Sequence, residues 1–351
     1  MKFLRRLTLL IVMSLAGIAL VALLLEESYA GFARDVFVDI PKGSSAVAMG
    51  RMLADAGVVR SRWLFVVARA LRPRAKLQAG EYLFSKPASV WNVFDRLARG
   101  DVFYYVLVVP EGANSFDIAL SLDHLGVISR REFLAAAHDP SPIRDLAPGA
   151  PSLEGYLFPD TYRITRHTTA AQLSRQMTDR FRQAWKAVGG SGDVNSIVTI
   201  ASLVEKETAR PEERQRIASV FQNRLKLGMT LDCDPTTIYA AMLEDRYSGV
   251  IHRSNLEDKN PYNTYQHAGL PPGPIANPGI DSLAAALHPG ESRFLYFVAK
   301  PDGSGGHQFS RTSEEHQLAV QRYRRGEKRA VEAKSPAKLP RRSKSRNGNG
   351  S

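Results

Sequence analysis

The sequence predicts an α+β protein that follows a single membrane-spanning helix. Three observations support this prediction. Residues 7–25 are uncharged and mostly apolar, and residues 36–138 alternate short β-rich runs with amphipathic helical stretches. Residues 152–324 contain longer stretches with helical periodicity and two β-rich runs near the end, which predicts a mixed α/β domain. Residues 325–351 are basic and poor in large apolar residues, so we expect a disordered tail.

The N-terminal apolar run is long enough to cross a bilayer. Its residues, at about 1.5 Å each, span roughly the hydrocarbon core. Three basic residues precede it and two glutamates follow it. The positive-inside rule therefore places residues 1–6 in the cytoplasm and the rest of the chain outside. A cleaved signal peptide with a site at 28–30 is the alternative, but signal h-regions usually have only about 7–15 residues. We expect an uncleaved anchor.

The net charge of +12 is concentrated at the two ends of the chain. Residues 324–351 carry ten Lys or Arg and two Glu, and residues 1–6 carry three basic residues, which leaves +1 for residues 7–323. A nearly neutral body lacks the basic surface of a nucleic-acid-binding protein, so we expect no nucleic-acid partner. The single cysteine, Cys233, excludes an internal disulfide.

Residues 36–138 contain an internal repeat with an offset of 69 residues. Each copy predicts a short strand, a Pro-x-Gly turn, an amphipathic helix and a glycine stop. The identical pairs are Pro41 and Pro110, Gly43 and Gly112, Leu53 and Leu122, Gly57 and Gly126, and Val58 and Val127. We expect one small α+β domain, followed by a Pro-rich linker at residues 139–151. No pattern in it identifies a ligand, so polymer binding and a spacer role both remain open.

The central feature of residues 152–324 is an apolar helix that runs directly into charged residues. Its apolar residues at 197, 200, 201 and 204 share one face, with Glu205 at the edge. Glu207 lies about 200° around the helix, so the two carboxylates point in different directions. A carboxyl group at an apolar edge is partly desolvated, which suits a proton donor. Periodicity alone nevertheless favours an ordinary exposed glutamate at this position.

Residues 260–279 form a long irregular segment rich in proline and glycine. Such a segment inside a compact domain is uncommon unless it is functional. Its aromatic and amide side chains suit a sugar-binding groove, and the candidates are Tyr262, Asn263, Thr264, Tyr265 and Asn277. A structural loop that covers the core fits the pattern equally well.

A metal site is not expected. His307, Glu315 and His316 match no known ligand spacing, and the capping box that begins at Thr312 already explains Glu315. We therefore predict neither a metal nor another cofactor.

Seen together, the ordered motifs resemble those of the endolytic murein transglycosylase family (MltG, YceG-like) over residues 36–323. The matching motifs are 153–162 (LEGYLFPDTY), 201–208 (ASLVEKET), 218–225 (ASVFQNRL), 234–236 (DPT) with Tyr239, 261–265 (PYNTY), 269–275 (GLPPGPI), 277–279 (NPG) and 307–310 (HQFS). The chain departs from the family pattern at Asp232, where the family usually has Gln.

The resemblance implies a single-pass enzyme of the bacterial inner membrane, with a LysM-like membrane-proximal domain and a periplasmic catalytic domain. It implies cleavage of nascent peptidoglycan strands between MurNAc and GlcNAc, which leaves 1,6-anhydroMurNAc ends and terminates elongation. The family's catalytic acid is the first Glu of Glu-Lys-Glu-Thr, here Glu205. Asp234 and Glu154 lie in matching motifs and are further groove candidates. The family also suggests a penicillin-binding peptidoglycan synthase as partner.

Two other functions remain open at this stage. A non-catalytic scaffold would bind glycan strands without cutting them. A water-using muramidase would cleave them by hydrolysis, for which glycosidases usually need two carboxylates. A lytic transglycosylase needs only one, because the C6 hydroxyl of the muramic sugar attacks C1 of its own ring.

Overall fold

The structure, a computed structural model, describes residues 2–334. It has a mixed helix and sheet architecture, as predicted. Contacts divide the chain into two compact units. Unit 1 comprises Met1–Val106 with Arg163–His167, and unit 2 comprises Leu107–Tyr162 with the described residues from Thr168 onward.

Unit 1 combines a two-stranded antiparallel sheet with helices. Its elements in chain order are α1 (Lys2–Glu26), β1 (Val36–Ile40), α2 (Ala46–Asp55), α3 (Arg62–Leu71), β2 (Gly80–Phe84) and α4 (Val90–Arg99). In the sheet, Val38 of β1 lies opposite Tyr82 of β2. The helices pack one apolar face onto this sheet, and Phe65, Tyr82 and Phe94 are completely buried in the core.

The predicted N-terminal helix is present as α1. Phe3–Glu26 is long and apolar enough to cross a membrane, with a mean hydropathy of 2.7. Its last turn packs onto α3 and α4, and Leu25 is buried in the core of unit 1. Backbone bonds continue this attachment: the Tyr29 N–H donates to Ala88 O at 3.1 Å, and the Gly31 N–H donates to Gly57 O at 2.7 Å. The apolar helix therefore joins unit 1 without a free linker.

Unit 2 is mainly helical. Its elements are β3 (Tyr105–Val108), α5 (Ser115–Leu125), α6 (Arg130–His138), β4 (Thr161–Ile164), α7 (Ala170–Ala187), α8 (Val194–Glu207), α9 (Pro211–Lys226), α10 (Asp234–Leu243), α11 (Arg253–Leu256), α12 (Ile280–Leu287), β5 (Tyr296–Ala299), β6 (His307–Ser310) and α13 (Ser313–Lys334). Strands β3 and β4 pair with each other. Strands β5 and β6 form a separate antiparallel pair.

The predicted domain boundary at residues 139–151 is not where the structure divides. Residues 107–138, which carry the second repeat, belong to unit 2 instead. Their polar groups bond there: the Ser115 N–H donates to Glu154 at 2.9 Å, and Gly112 and Ala113 exchange backbone hydrogen bonds with Asn277. Sequence similarity between the repeats therefore did not predict which unit each would join.

Helix α8 lies at the centre of unit 2. It begins after the N-cap Asp193, and it packs against α9 and α12. Residues 198–204 are all buried, so this part of the helix is enclosed on every side and not only along one stripe. The buried part ends at Glu205, which places that carboxylate where the helix leaves the core.

The last helix is longer than predicted. We expected it to end at about Arg324 and residues 325–351 to be disordered, whereas α13 continues to Lys334. Residues 325–334 are rich in Arg, Lys, Glu and Ala, which are strong helix formers, so the prediction of disorder was wrong for them. The rest of the predicted tail, 335–351, lies outside the described residues.

Candidate active site

Glu205 occupies an almost closed position at the end of α8. Its side chain is only 7% exposed. Oε2 accepts a hydrogen bond from the Gly279 N–H at 2.9 Å, and Oε1 lies 3.7 Å from Nη2 of Arg214. The interpretation that periodicity alone favoured, an ordinary exposed glutamate, is therefore wrong. Both oxygens of this carboxyl group have a cation or an N–H group close by.

Two glycine-containing turns enclose the Glu205 side chain. Gly112 lies in the Pro-x-Gly turn of the second repeat with a φ of +76°, a conformation that favours glycine. A Cβ at Gly112 would lie 3.4 Å from Cγ of Glu205, so the turn packs directly on the side chain. Gly279 is the N-cap residue of α12, and it turns the positive end of that helix toward Glu205. Lys206 helps to hold the first turn, because its ammonium donates to Gly112 O at 3.2 Å.

Arg214, in the first turns of α9, is the central cation of the site. Its side chain is 8% exposed and lies near three carboxylates. The distances from its guanidinium nitrogens are 3.7 Å to Glu205, 3.9 Å to Glu111 and 3.1 Å to Asp281. Its Nε has no hydrogen-bond partner among the described residues. A buried guanidinium surrounded in this way compensates for the burial of the Glu205 carboxylate.

Glu111 supplies a second carboxylate at the open side of the site. It precedes Gly112, and its side chain is 50% exposed. The carboxylate packs so closely on Gly279 that a Cβ there would lie 2.0 Å from Oε1 of Glu111. Burial, and then the negative charge of Glu205, raise the pKa of Glu111, while Arg214 opposes the rise. Glu111 also lines a surface cleft formed by residues 108–113 and the first turns of α5.

The sequence analysis missed both Glu111 and Arg214. A signal for Glu111 was present, since the shared Pro-x-Gly turn reads Pro-Lys-Gly in the first repeat and Pro-Glu-Gly in the second. The basic residue of the first turn is thus replaced by an acidic residue in the second, and this difference between the repeats distinguishes Glu111. Nothing in the sequence marks Arg214 among the other charged residues at the start of α9.

Glu207 points away from Glu205, as the helical periodicity predicted. Its carboxylate accepts a hydrogen bond from Sγ of Cys233 at 3.0 Å, and burial raises its pKa. Beyond it, His307 contacts Glu213 through Nδ1 at 2.7 Å. Burial alone would raise the pKa of Glu213, but the hydrogen bonds from His307 hold it below its ordinary value. The first bond therefore joins the end of α8 to the start of α10, and the second joins α9 to β6.

Four of the predicted groove residues are buried and serve the fold instead. Glu154, Asn263, Thr264 and Asn277 are each at most 1% exposed, so their side chains are closed to a polymer on the surface. The Asn263 amide donates to three backbone carbonyls between residues 255 and 258. Thr264 accepts from the Cys233 N–H at 3.1 Å. The prediction that these four side chains line a groove is wrong.

Glu154 and Asn277 form one buried network. Glu154 accepts hydrogen bonds from Ser115, from the hydroxyl of Tyr239 at 3.1 Å and from the Asn277 amide at 2.9 Å. Burial raises the pKa of Glu154 to about 7 despite these hydrogen bonds. The Asn277 amide also accepts from two backbone N–H groups, those of Gly155 and Leu157, each at 2.9 Å. This network fixes the turn that carries Glu111 and the loop end that carries Gly279.

The remaining groove candidates reach the surface. Tyr262 and Tyr265 are partly exposed, and Asp234 is exposed. The Tyr265 hydroxyl donates to Asp234 at 2.6 Å, which links the long loop to the first turn of α10. No hydrogen bond joins any of the three to Glu205 within the part of the chain that the structure describes. Asp234 is the first residue of α10, and Cys233 is the N-cap residue of that helix.

The site consists of carboxylates, one guanidinium and backbone N–H groups. Among residues 2–334, no group of three or more His, Cys, Asp or Glu side chains is arranged to hold a metal ion. The Glu315 N–H donates to the Thr312 hydroxyl at 3.3 Å, which is one half of the predicted capping box, but the Glu315 carboxylate accepts from the Arg311 N–H and not from that of Thr312. These side chains and N–H groups can transfer a proton and stabilise charge.

Comparisons with known proteins identify a family for this chain. The chain matches the model of the YceG-like family over residues 38–322. It is 33% identical over 309 residues to a Bacillus subtilis (strain 168) protein named endolytic murein transglycosylase, and the match covers 82% of this chain and 84% of that relative. A protein of the same name from Streptococcus pneumoniae serotype 2 is 31% identical over 303 residues, covering 75% of this chain and 54% of the relative. The chain thus spans about half the length of the streptococcal protein.

A solved structure also resembles this chain. The crystal structure of a YceG-like protein from Listeria monocytogenes superposes with a TM-score of 0.52 at 31% sequence identity. The match covers 81% of this chain and 99% of that one.

Proposed function

This chain belongs to the YceG-like family, and from that premise we propose that it is an endolytic murein transglycosylase in which Glu205 is the catalytic acid. The observation that carries the assignment of Glu205 is its environment: a carboxyl group 7% exposed, bonded to Gly279 and 3.7 Å from Arg214. It lies in the Glu-Lys-Glu-Thr motif whose first Glu is the acid in the family that the sequence resembles.

The proposed reaction needs one group that first gives and then takes a proton. Protonated Glu205 donates to the oxygen of the bond between C1 of MurNAc and GlcNAc, and that bond breaks. The C6 hydroxyl of the same MurNAc then attacks C1, and the Glu205 carboxylate accepts its proton. A 1,6-anhydro end forms, the proton returns to Glu205, and no water is consumed.

The surroundings of Glu205 suit the second half of this cycle, in which the side chain is a carboxylate. The Arg214 guanidinium, the Gly279 N–H and the positive end of α12 support the carboxylate of the second step. Arg214 acts as a positioning residue, since it contacts Glu205 and lies beneath two further carboxylates.

Glu111 is the group best placed to contact the sugar beside Glu205. It is half exposed, it lines the cleft and it shares Arg214 with the acid. We expect its carboxylate to accept a hydrogen bond from a sugar hydroxyl or to stabilise the positive charge that develops at C1. Tyr262, Tyr265 and Asp234 remain candidates for contacts with sugars farther along the strand.

The same premise supports a location and a set of partners. The apolar helix α1 fits a single-pass membrane anchor, and a cell-wall enzyme requires its catalytic unit outside the cytoplasm. We place the chain in the bacterial inner membrane with unit 2 in the periplasm, and we assign the small α+β fold of unit 1 as the LysM-like module. Nascent glycan strands are the substrate, and a penicillin-binding synthase that makes them is the expected partner.

The presence of Glu111 beside Glu205 is also compatible with a second function. Glycosidases that use water usually have two carboxylates at one site. In that case Glu111 would act as base or nucleophile, and the products would have reducing ends. A scaffold that binds glycan without cutting would generate no new ends.

Mass spectrometry of glycan ends distinguishes these functions. Uncross-linked glycan strands are incubated with the full-length chain in detergent, with the Glu205→Gln variant and with a Glu207→Gln variant as matched control on the same helix. We expect the wild type to form anhydro ends and the Glu207→Gln variant to form them at a similar rate. The rate of anhydro-end formation should fall at least a hundredfold in Glu205→Gln. Reducing ends, or full activity of Glu205→Gln, would overturn the proposal.

A further inference from the structure

An uninterrupted basic segment stands out in unit 1. Residues 60–76, which contain α3 and the turn after it, carry six basic and no acidic side chains, namely Arg60, Arg62, Arg69, Arg72, Arg74 and Lys76. Residues 7–323 have a net charge of only +1, so the rest of this body has a net charge of −5 and the concentration of positive charge is local. It has no role in the chemistry proposed for Glu205.

Most of these charges lack an acidic partner. Arg60 pairs with Glu27 at 2.8 Å, and Arg72 pairs with Asp95 at 2.5 Å. The other four cations form no ion pair with another described residue; they are Arg62, Arg69, Arg74 and Lys76. The fold of unit 1 therefore leaves a net positive surface along α3.

The segment begins beside the end of the apolar helix. Glu27 immediately follows α1, and Arg60 both pairs with Glu27 and lies over the ring of Tyr29, 5.2 Å from its centre. Helix α1 also packs on α3 within unit 1. Since α3 has ten residues, its full length is about 15 Å, so Arg62 and Arg69 on it stay near the point where α1 ends.

Apolar side chains are exposed between these cations. Trp63 is 56% exposed and Leu71 is 62% exposed, although Phe65 and Ala68 on the same helix are completely buried. The Arg62 guanidinium lies over the Trp63 ring at 4.7 Å. Tryptophan together with arginine is the combination typical of the membrane–water interface, where the ring lies among headgroups and the cation contacts phosphate.

We propose that residues 60–76 lie on the outer surface of the membrane that α1 crosses and bind anionic phospholipid headgroups. Charge complementarity and direct continuity with α1 support this partner. The contact fixes the orientation of unit 1 on the bilayer, because α1 alone leaves the protein free to rotate about the helix axis. The proposal rests on the membrane anchor assigned above and is independent of the transglycosylase activity.

Fluorescence quenching of Trp63 tests the proposal in the full-length chain. Trp91→Phe and Trp185→Phe leave Trp63 as the single tryptophan, and circular dichroism checks that this background folds. The chain is reconstituted in nanodiscs that contain bromine-labelled phosphatidylcholine, with or without phosphatidylglycerol. We expect stronger quenching when phosphatidylglycerol is present and a loss of that gain at high salt.

Charge variants define the electrostatic part of the contact. Arg74→Gln with Lys76→Gln removes two unpaired cations, and we expect the ratio of docked to undocked protein to fall about fivefold for each cation lost. Lys186→Gln with Lys226→Gln makes the same charge change on exposed positions of unit 2 and should leave the quenching as it was.

Two results would overturn the proposal. One is quenching of Trp63 that does not depend on phosphatidylglycerol, and the other is an equal effect of the two charge pairs. A chain that fails to copurify with nanodiscs would refute the anchor, and with it this contact. The test does not depend on the transglycosylase activity of any variant. The membrane contact and the transglycosylase activity can therefore be refuted independently of each other.

Discussion

The Glu205 carboxylate lies 3.7 Å from the Arg214 guanidinium, and both side chains are more than nine-tenths buried. A charge removed from water in this way is tolerated only when an opposite charge or hydrogen bonds compensate for it. Arg214 serves Glu205, Glu111 and Asp281 at once, so its planar fork sets the relative positions of the acidic groups around the cleft. The pair is therefore the structural basis for the proposed acid.

The first prediction concerns the shape of the cation. Arg214→Lys keeps the charge but replaces the planar fork by one ammonium group, which is unable to reach all three carboxylates. We expect the rate of anhydro-end formation to fall roughly tenfold to hundredfold with little change in KM, because Glu205 is misplaced while substrate contacts remain. Asp281→Asn, which alters the exposed partner of the same guanidinium, should have a much smaller effect. Wild-type turnover in Arg214→Lys would show that Arg214 does not position the acid.

The second prediction concerns the charge of Glu111. Glu111→Gln retains the shape of the side chain and removes the negative charge at the cleft. We expect turnover to fall at least tenfold if the carboxylate stabilises charge in the transition state. The pH–rate profile should also change on its acid side, since the pKa of Glu111 is raised by burial and by Glu205. An unchanged rate and profile would exclude a catalytic role.

The third prediction tests the position of Glu111 without altering its charge. In Gly279→Ala the new Cβ would lie 2.0 Å from Oε1 of Glu111, so that side chain must move. The φ of Gly279 is −74°, which alanine adopts without strain, and the carboxylate is the end of a flexible side chain. We therefore expect a loss of activity comparable to Glu111→Gln with an almost unchanged melting temperature. Full activity would show that the observed position of Glu111 is not needed.

The fourth prediction concerns stability and pH. The pKa of Glu154 is raised from 4.5 to about 7, so between these values the folded state keeps a proton that the unfolded chain loses. The free energy of unfolding should therefore decrease as pH rises through this window, by at most about 3 kcal/mol, and should level off above about pH 7. Glu154→Gln should remove this part of the slope in urea titrations. Equal slopes for the variant and the wild type would contradict the assignment.

The fifth prediction separates a structural from a substrate-binding role for Asn277. Asn277→Ala leaves the buried N–H groups of Gly155 and Leu157 without an acceptor. We expect the protein to lose about 2–4 kcal/mol of stability, seen as a lower denaturation midpoint. A residue that contacts substrate would instead raise KM and leave the midpoint where it was. That second outcome would restore the interpretation reached from the sequence.

The sequence by itself determined the features that depend on local pattern. The apolar run predicted α1, the periodicity around residue 200 predicted α8, and the ordered motifs indicated the family and Glu205. Turn chemistry also predicted the irregular segment at residues 260–279 and the N-cap role of Thr312. These features depend on residues that are close together in the sequence, and the periodicity of helices and strands can be observed there directly.

Only the tertiary structure decided what surrounds Glu205. Glu111 and Arg214 come close to Glu205 from distant parts of the chain, and local sequence periodicity does not predict such long-range contacts. The same holds for Asn277. Its amide is a candidate sugar ligand in the sequence, but in the structure it forms hydrogen bonds with buried backbone groups instead. Whether a polar side chain faces a cleft or the core depends on partners brought together by folding, because a buried polar group is stable only when those partners satisfy it.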